Sequence, residues 1–280
     1  MLKIDLHCHS NCSDGALAPA EVAARAVAAG CDVWALTDHD ELKGLDEARA
    51  VAEAAGVRFI PGVEISVTWD KMTVHVVGLN IDSANETLRS GLESVRSGRV
   101  RRAQAMGEDL ARAGIEGSFE GALALAENKE MVGRTHFARF LVENGHVKDV
   151  QTAFKKFLVK GKPGYVPHQW TTLADAVSWI RAAGGQAVLA HPGRYEIGKA
   201  RMLALLEEFK AVGGVGIEVV TSNHTAEHVT RFARLATEFG LLASCGSDFH
   251  SPTEGWCSLG KLPALPLSCT PIWRDWPLAH

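Results

Sequence analysis

Five times along this chain an Ala-rich stretch of helical periodicity ends on a glycine and gives way within a few residues to a short apolar run. The glycines are Gly30, Gly56, Gly184, Gly213 and Gly240, each where a helix C-terminal cap belongs. Helix, glycine and strand repeated in this way is the pattern of βα units around a parallel sheet. It predicts seven strands, at residues 2–6, 33–37, 58–63, 73–79, 187–190, 216–220 and 242–246, and helices at 19–29, 42–55, 173–183, 200–212 and 226–239. The rhythm breaks between residues 83 and 166, where Arg- and Ala-rich helical segments run on without a buried strand. The expected organisation is therefore an α/β barrel over 1–82 and 167–280, with a helical insertion, 83–166, after the fourth strand. Within it, residues 96–102 read as a solvated helix face.

A chain of 280 residues with 46% apolar and 22% charged residues can bury an ample core without disulfides or lipid. Its net charge of -4 excludes the strongly basic signature of a protein that grips long nucleic acid by neutralising phosphates. Cys8, Cys12, Cys31, Cys245, Cys257 and Cys269 form no C-x-x-C pair and follow no secretory signal, so reduced thiols in a soluble, cytoplasmic, unprocessed protein are expected, away from membranes. Trp256, Trp273 and Trp276 are expected to pack a C-terminal segment onto the barrel.

The chemistry sits at the strand ends. Asp5-Leu6-His7-Cys8-His9 closes the first strand, and a spacing of two puts His7 and His9 on one face with Cys8 on the other. Asp14 lies in the next loop, Thr37-Asp38-His39-Asp40 follows the second strand and Gly62-Val63-Glu64 the third. His75 is on the fourth, Ala190-His191-Pro192 ends the fifth, and Gly246-Ser247-Asp248-Phe249-His250 ends the seventh. A barrel gathers the C-terminal ends of its strands into one ring, so residues more than two hundred positions apart converge there. Six histidines and three carboxylates packed together without cations would leave many lone pairs unpaired. Imidazole and carboxylate ligands suit Mn²⁺, Fe²⁺ or Zn²⁺ better than Mg²⁺ alone. Nine ligands exceed what one ion can use, so two or three divalent ions are expected, activating a bridging water for phosphate-ester hydrolysis.

Taken together, Asp-x-His-x-His at 5–9, Thr-Asp-His at 37–39, Gly-Val-Glu at 62–64, Ala-His-Pro at 190–192 and Gly-Ser-Asp-x-His at 246–250 resemble the PHP (polymerase and histidinol phosphatase) superfamily. The resemblance covers nearly all the chain outside the insertion and implies a distorted (β/α)7 barrel with a trinuclear metal site, Mn²⁺ foremost. It implies that His7, His9, Glu64 and Asp248 bind one ion, that Glu64 bridges to a second held also by His75 and His191, and that Asp14, His39 and His250 hold a third. A bridging hydroxide, Glu64 and His191 would then occupy the catalytic positions, while Asp38 and Asp40 orient His39 or cap the following helix.

For the substrate, Gly133-Arg134-Thr135-His136 in the insertion offers a forked donor and an imidazole to one phosphate. Asn223 and His224 are expected to reach the same cavity from the barrel side, with Arg194, Lys160 and Lys162 as weaker candidates. The layout is similar to the bacterial PHP subgroup of 3′,5′-nucleotide bisphosphate phosphatases and related 5′-to-3′ exonucleases. That similarity implies hydrolysis of the 3′-phosphate of a nucleotide such as pAp, or cleavage of short 5′-phosphorylated RNA or DNA. The alternatives are histidinol-phosphate phosphatase and a non-catalytic metal- or nucleotide-binding module.

Overall fold

The computed structural model describes residues 2–167, 169–253 and 259–277. Seven strands form one sheet in sequence order: β1 (Ile4–Asp5), β2 (Val33–Leu36), β3 (Arg58–Trp69), β4 (Met72–Leu79), β5 (Gln186–Leu189), β6 (Gly216–Thr221) and β7 (Leu242–Gly246). The sheet curls until its first and last strands meet. Leu6 N donates to Cys245 O at 3.0 Å, Asp248 N to His7 O at 2.7 Å and His9 N to Phe249 O at 2.8 Å. The Asp5 carboxylate fastens the same seam, accepting from Ser247 N at 2.7 Å and Gly260 N at 2.9 Å.

The sheet is not wholly parallel, contrary to the expectation from its βα rhythm. β1–β2–β3 and β5–β6–β7 are parallel, but β4 runs antiparallel to both neighbours. The reason lies in β3, which continues to Trp69 instead of ending near Val63 and turns back through Asp70-Lys71, at φ 43° and 64°. Two residues of positive φ make the tight primed turn that matches strand twist. Because β4 is reversed, its N-terminal half carries His75 to the rim where the parallel strands have their C-terminal ends.

The helices α1 (Pro19–Ala28), α2 (Leu45–Ala54), α7 (Leu173–Ala182), α8 (Lys199–Ala211) and α9 (Ala226–Phe239) pack on the barrel wall. All five predicted cap glycines adopt positive φ, between 64° and 103°, and at Gly56 and Gly184 a Cβ would meet nothing within 4 Å. Backbone conformation rather than space therefore requires glycine there.

Between β4 and α7 stand α3 (Glu86–Arg112), α4 (Ser118–Leu125), α5 (Arg134–Glu143), α6 (Val150–Ala153) and a π-helical turn, Phe154–Leu158. They surround a core of their own, including Met106, Leu110, Phe137, Phe140 and Leu141. Contrary to the expectation from its charge, the face of α3 carrying Arg96, Arg99 and Arg102 is not solvated. A spacing of three turns these residues toward the barrel, where Arg99 is buried and Arg96 donates to Asp40 O at 2.7 Å, while Arg101 stays exposed.

Trp273 and Trp276 pack against the barrel core, Trp276 Nε1 donating to Gln186 Oε1 at 2.7 Å; Trp256 and Cys257 lie outside the described residues. Cys8, Cys12, Cys31, Cys245 and Cys269 are free thiols. Among the described residues no helix is long and apolar enough to cross a membrane.

Candidate metal centre and adjoining cavity

Alternation along the chain leaving β1 sets the first pair of ligands. His7 and His9 turn inward with their Nε2 atoms 3.1 Å apart, while Cys8 turns outward, its Sγ donating to Ala35 O and accepting from Trp34 Nε1, both at 3.2 Å. Gly246 lets β7 approach this closely, since a Cβ there would lie 2.2 Å from His7 Cβ and 2.8 Å from His7 N.

Glu64 stands at the centre. Its Oε1 is 2.9 Å from His191 Nε2 and 3.0 Å from His75 Nδ1; its Oε2 is 3.0 Å from His39 Nδ1 and 3.3 Å from Nε2 of both His7 and His9. Asp248 Oδ1 lies 3.3 Å from His9 Nε2, and Asp14 Oδ1 lies 3.3 Å from His250 Nε2. Among the described residues four overlapping groups, each with ligand atoms within 4.8 Å of one another, contain His9, Asp14, His39 and His250; His7, His9 and Asp248; His7, Glu64 and His191; and His39, Glu64 and His75. All nine residues expected at the rim fall in these groups.

Burial opposes ionisation of Glu64, yet the imidazoles of His39, His75 and His7 together hold its carboxyl well below the ordinary range. Burial also opposes charge on His9, but Asp248 and Glu64 lift it to about 10, whereas burial leaves His39 and His191 near 4. Even so, His9 Nδ1, Asp14 Oδ1, His39 Nδ1, Glu64 Oε2, His191 Nδ1 and Asp248 Oδ1 are buried without a hydrogen bond among the described residues. The close approach of Glu64 Oε2 to three ring nitrogens thus lacks hydrogen-bond alignment, as expected of atoms aimed at a common cation instead of at each other. The imidazole and carboxylate donors fit divalent metal ions. Non-glycine residues with positive φ stand at this rim, Asp40 at 49°, His191 at 26° and Asp248 at 53°, the kind of backbone strain that collects at functional sites.

Asp38 and Asp40 lie beside the cluster but neither orients His39 nor caps α2, whose N-cap is Gly44. Asp38 instead ties down the loop after β1, accepting from Ser10 N at 2.7 Å, Ser10 Oγ at 2.6 Å and Ser13 Oγ at 2.5 Å. Asp40 accepts from Ser66 N at 2.8 Å and pairs with Arg99. Reading by strand ends overlooks Glu218, which is buried in β6 with Oε1 2.8 Å from His7 Nδ1 and Oε2 accepting from His191 N at 2.6 Å. A lone charge within Gly216-Ile-Glu-Val-Val is the signal that marks it.

Beside His39 and His75 opens a cavity of about 100 Å³ whose insertion side carries Arg99, Arg102 and Arg134, with Phe154 and Trp170 as walls. Arg99 and Arg102 lie 4.6 and 5.5 Å over the Trp170 ring and Arg134 5.8 Å over Phe154. Burial, with Arg134 and Arg99 nearby, lowers Arg102 to about 10; burial lowers Arg134 too. Among the described residues neither Arg102 nor Arg134 has a carboxylate within ion-pair distance. Arg134 was expected here; Arg99 and Arg102 were not.

The other expected substrate contacts are placed differently. His136 is buried, accepts from Gly133 N at 3.1 Å, is held near 4 chiefly by burial, and does not line the cavity. His224 spends both ring nitrogens on backbone, Nε2 accepting from Gly193 N at 3.0 Å and Nδ1 donating to Val219 O at 2.9 Å. Asn223 Oδ1 accepts from Thr221 Oγ1 at 2.9 Å, and its buried Nδ2 has no partner among the described residues. Arg194 holds Asp248 Oδ2 at 2.6 Å, and Lys160 and Lys162 are exposed.

A profile of the PHP domain matches residues 5–222. The chain belongs to the PHP domain family. This PHP chain is 53% identical over 275 residues to the 3′,5′-nucleoside bisphosphate phosphatase of Chromobacterium violaceum, covering 98% of this chain and 96% of that protein. It is 43% identical over 272 residues to the 5′-3′ exoribonuclease of Haemophilus influenzae, covering 97% and 98%. A solved amidohydrolase from Chromobacterium violaceum, with bound sulfate and no metal, superposes with a TM-score of 0.94 at 52% identity, covering 98% of this chain and 95% of that one. That likeness over nearly the whole chain accords with the expected distorted barrel of seven strands and with the insertion after β4.

Proposed function

We propose that this PHP chain is a metal-dependent phosphoesterase that removes the 3′-phosphate of 3′,5′-nucleotide bisphosphates such as pAp, leaving the 5′-mononucleotide. The observation that carries the reading is the juxtaposition of a ligand cluster with a cavity holding three guanidiniums. A substrate with two phosphates on one ribose suits both: one phosphate meets the cluster and the other meets Arg134 and Arg102, which lack acidic partners among the described residues.

Two or three divalent ions, Mn²⁺ foremost and Fe²⁺ or Zn²⁺ as alternatives, supply an activated water and charge neutralisation at the reacting phosphate when bound. We assign His7, His9, Glu64 and Asp248 to one, Glu64, His75 and His191 to a second, and Asp14, His39 and His250 to a third. His7, His9, His39 and Glu64 each belong to two of the observed groups, and of these only Glu64 has two carboxylate oxygens to share between neighbouring ions. Glu64 and His191 take the catalytic positions beside the reacting phosphate. Arg194 holds the outer oxygen of Asp248 and so keeps the inner one turned to the cluster. Thr135, whose hydroxyl donates to Asp14 Oδ2 at 3.2 Å, ties the insertion to the same site.

The same geometry serves the first phosphodiester of a short 5′-phosphorylated RNA or DNA, a reading supported by the similarity to the Haemophilus exoribonuclease. Histidinol phosphate fits poorly, because its ammonium would meet guanidiniums. The test is phosphate release in Mn²⁺ from pAp, AMP, 3′-AMP, histidinol phosphate and 5′-phosphorylated dinucleotides. Highest kcat/KM on pAp is expected; preference for histidinol phosphate, or no hydrolysis of any substrate, contradicts the proposal.

A further inference from the structure

We infer that Glu218 is a positioning residue that sets metal affinity by fixing two ligands, His7 and His191, with one carboxylate. The inference rests on the reading that the cluster binds divalent cations. Glu218 is the one charged residue of β6, lies 1% exposed where pairing with β7 becomes irregular, and among the described residues has no Lys or Arg within ion-pair distance. Its two oxygens have separate tasks. Oε1, 2.8 Å from His7 Nδ1, keeps the proton on that nitrogen and leaves the Nε2 lone pair facing Glu64, His9 and Asp248. Oε2 accepts the His191 N–H at 2.6 Å and so holds a backbone bent to φ 26° and ψ 57°, the conformation that presents the His191 ring to Glu64.

Only a carboxylate accepts on both sides. In Glu218→Gln, an amide nitrogen facing His7 would need Nδ1 as acceptor, moving the ring proton to Nε2, where a cation needs a lone pair. Turned the other way, the amide nitrogen would set two donors against each other at His191. Either orientation spoils one ligand while leaving side-chain volume unchanged.

The experiment compares the wild-type chain with Glu218→Gln and Glu218→Asp, each stripped of metal and titrated with Mn²⁺ against a chelating dye, with ion content by elemental analysis and the melting temperature of the metal-free forms alongside. Glu218→Gln is expected to weaken Mn²⁺ binding by about 10- to 100-fold. Glu218→Asp, which keeps both acceptors one methylene further back, should lie between. A lowered melting temperature with wild-type affinity in Glu218→Gln shows a merely structural role and overturns the inference. If Glu218→Gln does not fold, Glu218→Asp decides: weakened binding supports the inference and wild-type affinity overturns it. Failure of the wild-type chain to bind Mn²⁺ would instead overturn the metal-centre reading on which the inference stands.

Discussion

Arg99 of the insertion and Asp40 of the barrel form a buried ion pair, with Nε 3.1 Å from Oδ2, and Arg99 Nη2 also donates to Ser66 Oγ at 2.8 Å. One contact thus locks α3 to the loop after β2 and to β3. Removing the guanidinium leaves a carboxylate in a site where Asp40 is fully buried. Arg99→Ala should therefore lose about 3 kcal/mol of stability, measured by denaturant unfolding with unchanged slope. A loss below about 1 kcal/mol would place this pair in the class of weak surface bridges.

Glu64 is the carboxylate shared by five imidazoles, so Glu64→Gln should be the most damaging single isosteric change at the rim. A neutral amide cannot supply negative charge between cations. Elemental analysis should find fewer ions per chain and assays little turnover; normal metal content with normal turnover would remove Glu64 from its assigned place.

Arg134→Ala should slow pAp hydrolysis far more than 3′-AMP hydrolysis, because only the doubly phosphorylated substrate offers a remote phosphate. Hydrogen bonds to a charged group contribute about 1.5–3 kcal/mol, which corresponds to roughly ten- to a hundredfold or more in kcat/KM. Arg102→Ala should follow the same pattern. Equal slowing of both substrates at saturating metal would assign Arg134 to structure or to the reacting phosphate.

Gly246→Ala puts a methyl group against His7 at 2.2 Å, with backbone behind it, so the seam between β1 and β7 must open. Overpacking of this kind costs about 1–3 kcal/mol, and displacement of His7 should lower metal content as well. A variant with wild-type melting temperature and ion content would show that the seam yields without consequence.

The parts of this molecule legible in its sequence are those written in local chemistry. Gly30 and Gly240 announce helix ends because αL backbone selects glycine, and His7 and His9 share a face because strands alternate. The β3–β4 hairpin was not legible: Asp70-Lys71 carries no glycine, and Glu64 looks like the residue after a strand although the strand runs on to Trp69. Glu218 and Arg99 escape notice for another reason. A charge within a strand or helix acquires its meaning from partners distant in sequence, His7 for one and Asp40 for the other. His224 errs in the opposite sense, since a loop histidine near a site looks like a substrate contact until both its nitrogens are seen to bond backbone.

The division of labour between the metal centre and the arginine cavity is tested most directly by the identity of the mononucleotide left when pAp is incubated with the Mn²⁺-loaded protein. Chromatography separates 5′-AMP from 3′-AMP. With the 3′-phosphate at His7, His9, Glu64 and their partners and the 5′-phosphate at Arg134 and Arg102, the product is 5′-AMP with one equivalent of inorganic phosphate. Accumulation of 3′-AMP, or recovery of intact pAp, would contradict the account.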